Sequence, residues 1–186
     1  MMSKRVLGFA VAVATLSALG AGDVVAQQRG GGRGFSLPPL LMETSAFPDG
    51  GIVPVRYTGA GDNVQPAFTF SNAPEGTVSY ALILHDLDVA IGGNTGDVLH
   101  WMAWNIPASA GGIPEGSLPA GAMQSGAYRG PGAPPGPRYH HYVFELYALN
   151  TTLDVPANVG RDGLLAAMQG KVVAKSAYVG RFRREG

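Results

Sequence analysis

Val78-Ser79-Tyr80-Ala81-Leu82-Ile83-Leu84 is apolar on both sets of alternating positions. Successive side chains of a strand point to opposite faces, so this run belongs to a strand covered on both sides. Leu99 to Ile106 and Tyr142 to Leu149 read the same way. Ile52 to Tyr57 and Ala67 to Phe70 are shorter segments bounded by Gly, Asp, Asn and Pro, the punctuation of strands. Val172 to Ala174 and Ala177 to Phe182 read as two closing strands. One helix is expected over Asp162 to Gln169, where Leu164-Leu165-Ala166-Ala167-Met168 is closed by Gly170. Residues 107–137 are rich in Gly and Pro and resist regular structure. A loop of this length in a small domain is more often functional than idle. The pattern is that of a mainly β domain with one short helix.

The N-terminus has a different character. Met1-Met2-Ser3-Lys4-Arg5 is followed by an uncharged run from Val6 to Gly22, then Val24-Val25-Ala26 before Gln27. Two basic residues, an apolar stretch and small residues at 24 and 26 form the layout of a secretory signal peptide cleaved after Ala26. The run is broken by Gly, Ser and Thr, which suits a leader better than a membrane anchor. Residues 1–26 are therefore expected to be a signal peptide. Residues 27–34, Gln-Gln-Arg-Gly-Gly-Gly-Arg-Gly, form a flexible linker, because glycine loses the most backbone entropy on ordering. Residues 35–186 form the domain, with a periplasmic or secreted location and no transmembrane segment after cleavage.

The chain carries 13 basic and 13 acidic residues, and Lys4, Arg5 and Asp23 lie in the leader, so the domain stays close to neutral. That balance gives no electrostatic footprint for nucleic acid. The absence of Cys excludes thiol chemistry and cysteine-ligated metals, and leaves the core alone to hold the domain. Arg181, Arg183 and Arg184 read as a solvated tail.

Four histidines, His85, His100, His140 and His141, all stand at strand ends or beside loops. His85-Asp86-Leu87-Asp88 closes one strand, His100-Trp101 opens the next, and His140-His141-Tyr142 opens a third after the Pro-rich loop. Strand ends deliver side chains from separate strands to one place. A protonated imidazole donates two hydrogen bonds, and a nearby carboxylate favours that charged form, so such a cluster suits a phosphate or carboxylate oxygen. Each residue also has a structural alternative. A histidine here can be a satisfied core group, and Asp86 and Asp88 can be turn residues bonding their own backbone. Taken one by one, the residues reach a β domain with a polar cluster.

The order of motifs goes further. Asp86-Leu87-Asp88-Val89-Ala90 resembles the Asp-Pro-Asp-Ala-Pro signature of the phosphatidylethanolamine-binding proteins. His100-Trp101-Met102-Ala103-Trp104-Asn105-Ile106-Pro107 is similar to that family's His-Trp-x-x-x-Asn-Ile-Pro. Tyr128-Arg129-Gly130-Pro131-Gly132-Ala133-Pro134-Pro135-Gly136 resembles its Tyr-x-Gly-Pro-x-x-Pro-x-Gly loop, and His140-His141-Tyr142-Val143-Phe144 its His-Arg-Tyr-x-Phe. Phe47-Pro48-Asp49-Gly50-Gly51 and the segment Ile52 to Thr58 resemble the opening of the bacterial, Raf-kinase-inhibitor-like (YbhB/YbcL-type) branch. The likeness spans roughly residues 35–182.

This resemblance implies a large central antiparallel sheet packed against a smaller sheet, with a short C-terminal helix. It implies a pocket for small anions, such as phosphate, a carboxylate or a phosphorylated head group, with Asp86, Asp88, His100, His140 and Tyr142 as ligand-binding residues and Pro134 and Pro135 as rim. In that picture His100 and His140 donate to the anion and Asp86 orients and charges an imidazole. No cofactor, metal or catalytic residue is implied; a protein partner modulated by binding is, without its identity. The alternative is a hydrolase or isomerase using the Asp, His and Tyr groups, although Gly-x-Ser-x-Gly, His-Glu-x-x-His and cysteine are all absent. Leu87 and Ala90 replace both prolines of the first motif, so that loop is less preset. Phe70 and Gly59 replace a Trp and a Cys of the bacterial branch as packing changes, and His141 replaces an Arg.

Overall fold

The structure, a computed structural model, describes residues 39–89, 93 and 95–185. The expected leader (1–26), the linker (27–34) and Ala90 lie outside the described residues. Two sheets and one helix are present. A three-stranded sheet is formed by β1 (Leu41–Glu43), β3 (Phe68–Ser71) and β6 (Gly112–Ile113) in that order. The larger sheet has six strands in the order β2 (Gly51–Ile52), β9 (Val172–Phe182), β8 (His140–Leu149), β4 (Ser79–Asp86), β5 (Val98–Pro107) and β7 (Met123–Gln124). Its pairings are antiparallel except β2 with β9, which is parallel. The expected large sheet, small sheet and short helix are all there, the helix being α1 (Arg161–Met168).

Every residue of β4 is buried, which is why its sequence is apolar on both faces. Tyr80, Leu82 and Leu84 join Phe68, Phe70, Phe144 and Tyr178 in the core between the two sheets. Ala81 and Ile83 join Met102, Trp104, Leu164 and Met168 in a second core under α1. The domain is thus three layers, small sheet, large sheet and helix, with two apolar interfaces. The alternation carries one residue further: His85 goes to the helix side and Asp86 to the small-sheet side.

Three expectations are corrected. Ile52 to Tyr57 is not one strand: only Gly51–Ile52 pairs, and Val55–Tyr57 makes a 3₁₀ turn. Pro54 has no N–H to give a ladder, and the Tyr57 and Thr58 N–H groups turn back to the carbonyls of Pro54 and Val55 at 3.0 Å each. The two closing strands are a single strand, β9, paired with β8 along its length except for an irregularity at Ala148/Leu149. Of the C-terminal arginines, Arg181 and Arg183 are half-buried rather than solvated, and Arg184 is exposed with its backbone held. Arg181 and Arg183 lie over the Tyr139 ring at 5.7 and 4.8 Å, and the Gly136 N–H donates to the Arg184 carbonyl at 3.0 Å. The helix ends as expected, with Gly170 at φ 73°, a conformation that costs a side-chain-bearing residue. Among the described residues no helix is long and apolar enough to cross a membrane.

Candidate functional site

Strands β8, β4 and β5 are neighbours, and each brings polar residues to the same end of the inter-sheet core. On β8, His140 and Tyr142 alternate inward while His141 points out. Asp86, the last residue of β4, is paired with Tyr142 across the ladder. His100 reaches the site through a bulge. Leu84 pairs with Trp101 and His85 with Leu99, so His100 is the extra residue on β5. A bulge re-aims a side chain, and here it puts His100 and Trp101 on the same face. The His100 and His140 rings flank Tyr142, at 5.2 Å edge-on and 6.4 Å stacked.

The hydrogen bonds fix the tautomers. His100 Nδ1 faces the carbonyl oxygens of Arg129 and Gly130 at 3.0 and 3.1 Å, so Nδ1 carries the hydrogen and donates. His140 Nδ1 likewise donates to Asp86 Oδ2 at 2.8 Å. Asp86 Oδ1 accepts the Asp88 N–H at 2.8 Å. The Gly132 N–H donates to the Tyr142 hydroxyl at 3.2 Å. Both rings therefore spend Nδ1 on the protein and keep Nε2 for something else. In a neutral ring with this tautomer Nε2 is an acceptor, and it becomes a donor only on protonation.

This modifies the picture of two imidazolium donors. Asp86 is bonded to His140, not to His100. Burial holds His100 below the ordinary imidazole range and the Arg129 charge adds to this, against the opposing pull of the carbonyl bonds and Asp86. Tyr142 is pushed well above its ordinary value by burial, then by the Asp86 charge, so its hydroxyl stays protonated.

A cavity of about 470 Å³ opens beside Asp86 and His100, lined by these two with Arg129, Gly130, Pro134 and Arg184 and with Val89 and Val98 as apolar wall, while His140 and Tyr142 are buried and are not among its described lining residues. Arg129 and Arg184 are the two cations on its wall, against one carboxylate. Neither was singled out from sequence as a site residue. Arg129 stands at the free position of the Tyr-x-Gly-Pro loop. Arg184 follows β9 two residues after Phe182 and is exposed at the cavity wall.

The loop over the cavity is held from several sides. The Tyr128 hydroxyl donates to the Tyr57 carbonyl at 3.0 Å, and Asn63 grips both the Tyr128 carbonyl at 3.0 Å and the Gly130 N–H at 2.8 Å. A Cβ on Gly130 would sit 2.2 Å from the Tyr57 carbonyl oxygen, so this close approach needs glycine. Pro135 bridges to Arg184, while Pro134 lines the cavity itself.

Asp88 sits apart from the cavity. Its carboxylate accepts from Arg138 at 2.6 Å and from the backbone and ring of His141 at 2.6 and 2.8 Å, and it lines a neighbouring depression. Burial opposes its charge, but these bonds outweigh burial and hold the carboxyl below the usual range. The residue that replaces the motif's Arg, His141, thus bonds Asp88 through both its backbone and its ring. His85 faces the helix side, donating to Asp97 at 2.5 Å with Glu145 3.5 Å from its other nitrogen, and shares no surface with the cavity. Phe70 packs edge-on against Tyr80 at 4.9 Å, and Gly59 reaches the cavity wall.

A family model described as phosphatidylethanolamine-binding protein matches residues 43–183. A UPF0098 protein of Methanothermobacter thermautotrophicus is 38% identical over 156 residues, covering 78% of this chain and 99% of its own length. A Mycobacterium tuberculosis protein named as a lipoprotein, LppC, is 37% identical over 135 residues, covering 69% of this chain and 64% of its own. Among solved structures, the phosphatidylethanolamine-binding protein homologue CT736 of Chlamydia trachomatis superposes with a TM-score of 0.72 at 27% identity, covering 79% of this chain and 99% of that one. YbcL of Escherichia coli shares the fold, with a TM-score of 0.72 at 24% identity over 80% of this chain and 100% of that one.

Proposed function

The chain belongs to the phosphatidylethanolamine-binding protein family, and from that membership and the pocket chemistry we propose that it binds a small anion, a phosphate or a phosphorylated or carboxylate-bearing organic group, outside the cytoplasm. The observation that carries the reading is the Nδ1 commitment of His100, which leaves its Nε2 for a ligand in the cavity beside Arg129 and Arg184, with buried His140 committed in the same way next to Tyr142. The guanidiniums attract the anion at any pH. An imidazole Nε2 whose Nδ1 hydrogen is spent on the protein adds a donor to an anion when the ring is protonated. A cavity of about 470 Å³ lies in the range of organic-ligand sites, and its Val89, Val98 and Pro134 walls accept an apolar substituent. Among the described lining residues no Ser, Thr or Cys offers a hydroxyl or thiol nucleophile for a hydrolytic reading.

Export rests on the leader pattern of residues 1–26 and is consistent with a relative named as a lipoprotein. Mass spectrometry of the N-terminus from fractionated cells tests it: a mature chain starting at Gln27 supports export, and an intact Met1 in the cytosol opposes it. Calorimetry with inorganic phosphate tests the binding. Arg184→Ala is expected to weaken the wild-type affinity by about tenfold, the equivalent of about 1.4 kcal/mol. Equal affinity in the variant would remove the cationic wall from the account.

A further inference from the structure

We propose that a second cavity, on the other side of the Tyr128–Gly132 loop, is a binding site for a neutral saccharide of one or two rings. The cavity measures about 380 Å³ and is lined chiefly by Asn63, Gln65, Trp101, Ser117, Gln124 and Tyr128. None of its described lining residues carries a formal charge. Glu115, beside the lining residue Gly116, is paired with Arg56, and the Tyr57 hydroxyl adds a bond to it at 2.9 Å. An anion or a cation would therefore leave water for a site with no countercharge, while a purely apolar ligand would strand the amides. Hydroxyl groups, each donor and acceptor at once, match this lining.

The unspent hydrogen-bonding groups converge on the space. The Trp101 indole N–H donates to Gln124 Oε1 at 2.9 Å, which turns the Gln124 amide so that its NH₂ remains for a ligand. Gln65 lines the cavity, and its amide nitrogen bonds the Pro66 carbonyl, which leaves Oε1 as the acceptor end of the amide. Ser117 is exposed and offers its hydroxyl from the opposite loop. Trp101 and Tyr128 meet edge to face at 5.6 Å, and the Tyr128 hydroxyl is spent on Tyr57. With its polar tip occupied, the half-buried Tyr128 ring contributes apolar surface suited to the C–H face of a pyranose, backed by buried Trp101. Donors, an acceptor and aromatic carbon around one uncharged space are what a sugar needs, and the volume lies in the range of small-ligand sites.

The chain has two tryptophans, which gives the test an internal control. Both rings are buried, but Trp101 lines the cavity and bonds Gln124 through its indole N–H, whereas Trp104 lies in the core under α1. Nitrogen-15 spectra are recorded while glucose, N-acetylglucosamine and cellobiose are titrated separately into the tens-of-millimolar range. At least one is expected to move the Trp101 indole resonance saturably, with a millimolar Kd, and to leave Trp104 in place. Ser117→Leu, at an exposed loop position, fills the cavity and is expected to weaken that sugar by about tenfold or more while phosphate affinity stays within about twofold. The proposal fails if none of the three sugars gives a saturable shift at Trp101, or if Ser117→Leu binds the sugar as the wild type does. Phosphate binding is scored separately, so the failure of either site leaves the other standing.

Discussion

Replacing Asp86 by Asn tests the geometry around His140 at a single atom. The wild-type carboxylate is 2% exposed and accepts from the Asp88 N–H and His140 Nδ1–H, both at 2.8 Å. Asn keeps one oxygen for the Asp88 N–H, but its NH₂ replaces the oxygen facing His140. Two donors then oppose each other, unless the ring changes tautomer and makes Nδ1 an acceptor. The change exchanges a charge-assisted bond of about 1.5–3 kcal/mol for a neutral one of about 0.5–1.5 kcal/mol, so a loss of about 1–2 kcal/mol is expected. Urea unfolding at pH 8, where an ordinary imidazole is neutral, measures it. Long-range proton–nitrogen spectra report the tautomer. A switched His140 carries its hydrogen on Nε2, the nitrogen left for a ligand, so calorimetry with phosphate at pH 8 should show binding by Asp86→Asn retained. A variant within about 0.5 kcal/mol of wild type that keeps hydrogen on Nδ1 would refute the hydrogen-bond pattern on which the site is built.

Other expectations follow from single residues. Asn105 sits at φ 55° and pairs its amide with the Leu153 carbonyl and N–H at 2.9 and 2.8 Å, so Asn105→Ala should cost about 2–4 kcal/mol in urea unfolding, and Asn105→Gly about 1 kcal/mol less. Tyr142→Phe removes the acceptor of the Gly132 N–H, and should cost about 1–2 kcal/mol while weakening phosphate in calorimetry. Because folding holds His100 below the imidazole range, the stability gained by keeping it neutral is present above about pH 6.5 and is lost as pH falls from there toward its folded value. Phosphate binds the protonated ring better, so its affinity should rise over the same fall in pH. Unfolding curves from pH 7.5 to 5, with and without phosphate, check both signs, and His100→Gln should flatten them.

The central strands were readable because burial on both faces leaves little choice of residue: β4, β5 and β8 announce themselves as apolar runs. The helix was readable from Leu164, Met168 and the glycine that stops it. The three-residue strand β1, Leu41–Glu43, carries too little pattern to be recognised, and only its pairing with β3 orders it. β9 reads as two pieces because Lys175 and Ser176 interrupt its apolar pattern where that end of the strand is exposed. Within the site, Asp86, His100, His140 and Tyr142 were legible through the order of motifs. Their roles were not, since the choice of Asp86 partner follows from the register of β4 on β8. The bulge that turns His100 inward is a mismatch between two strands, visible in neither alone. Arg184 reached the cavity because the Pro135 bridge holds the chain beyond β9 against the loop, a tertiary contact between segments some fifty residues apart.

The central claim is that an anion engages the Nε2 atoms of His100 and His140, and the four histidines permit one direct measurement. Long-range proton–nitrogen spectra resolve Nδ1 and Nε2 of each ring during a titration with inorganic phosphate at pH 6. The account predicts saturable shifts at Nε2 of His100 and His140 with a common Kd. His85, committed to Asp97 and Glu145 on the helix side, and His141, paired with Asp88 on the surface, should stay in place. Phosphate that moves all four rings alike, or moves neither His100 nor His140, would contradict it.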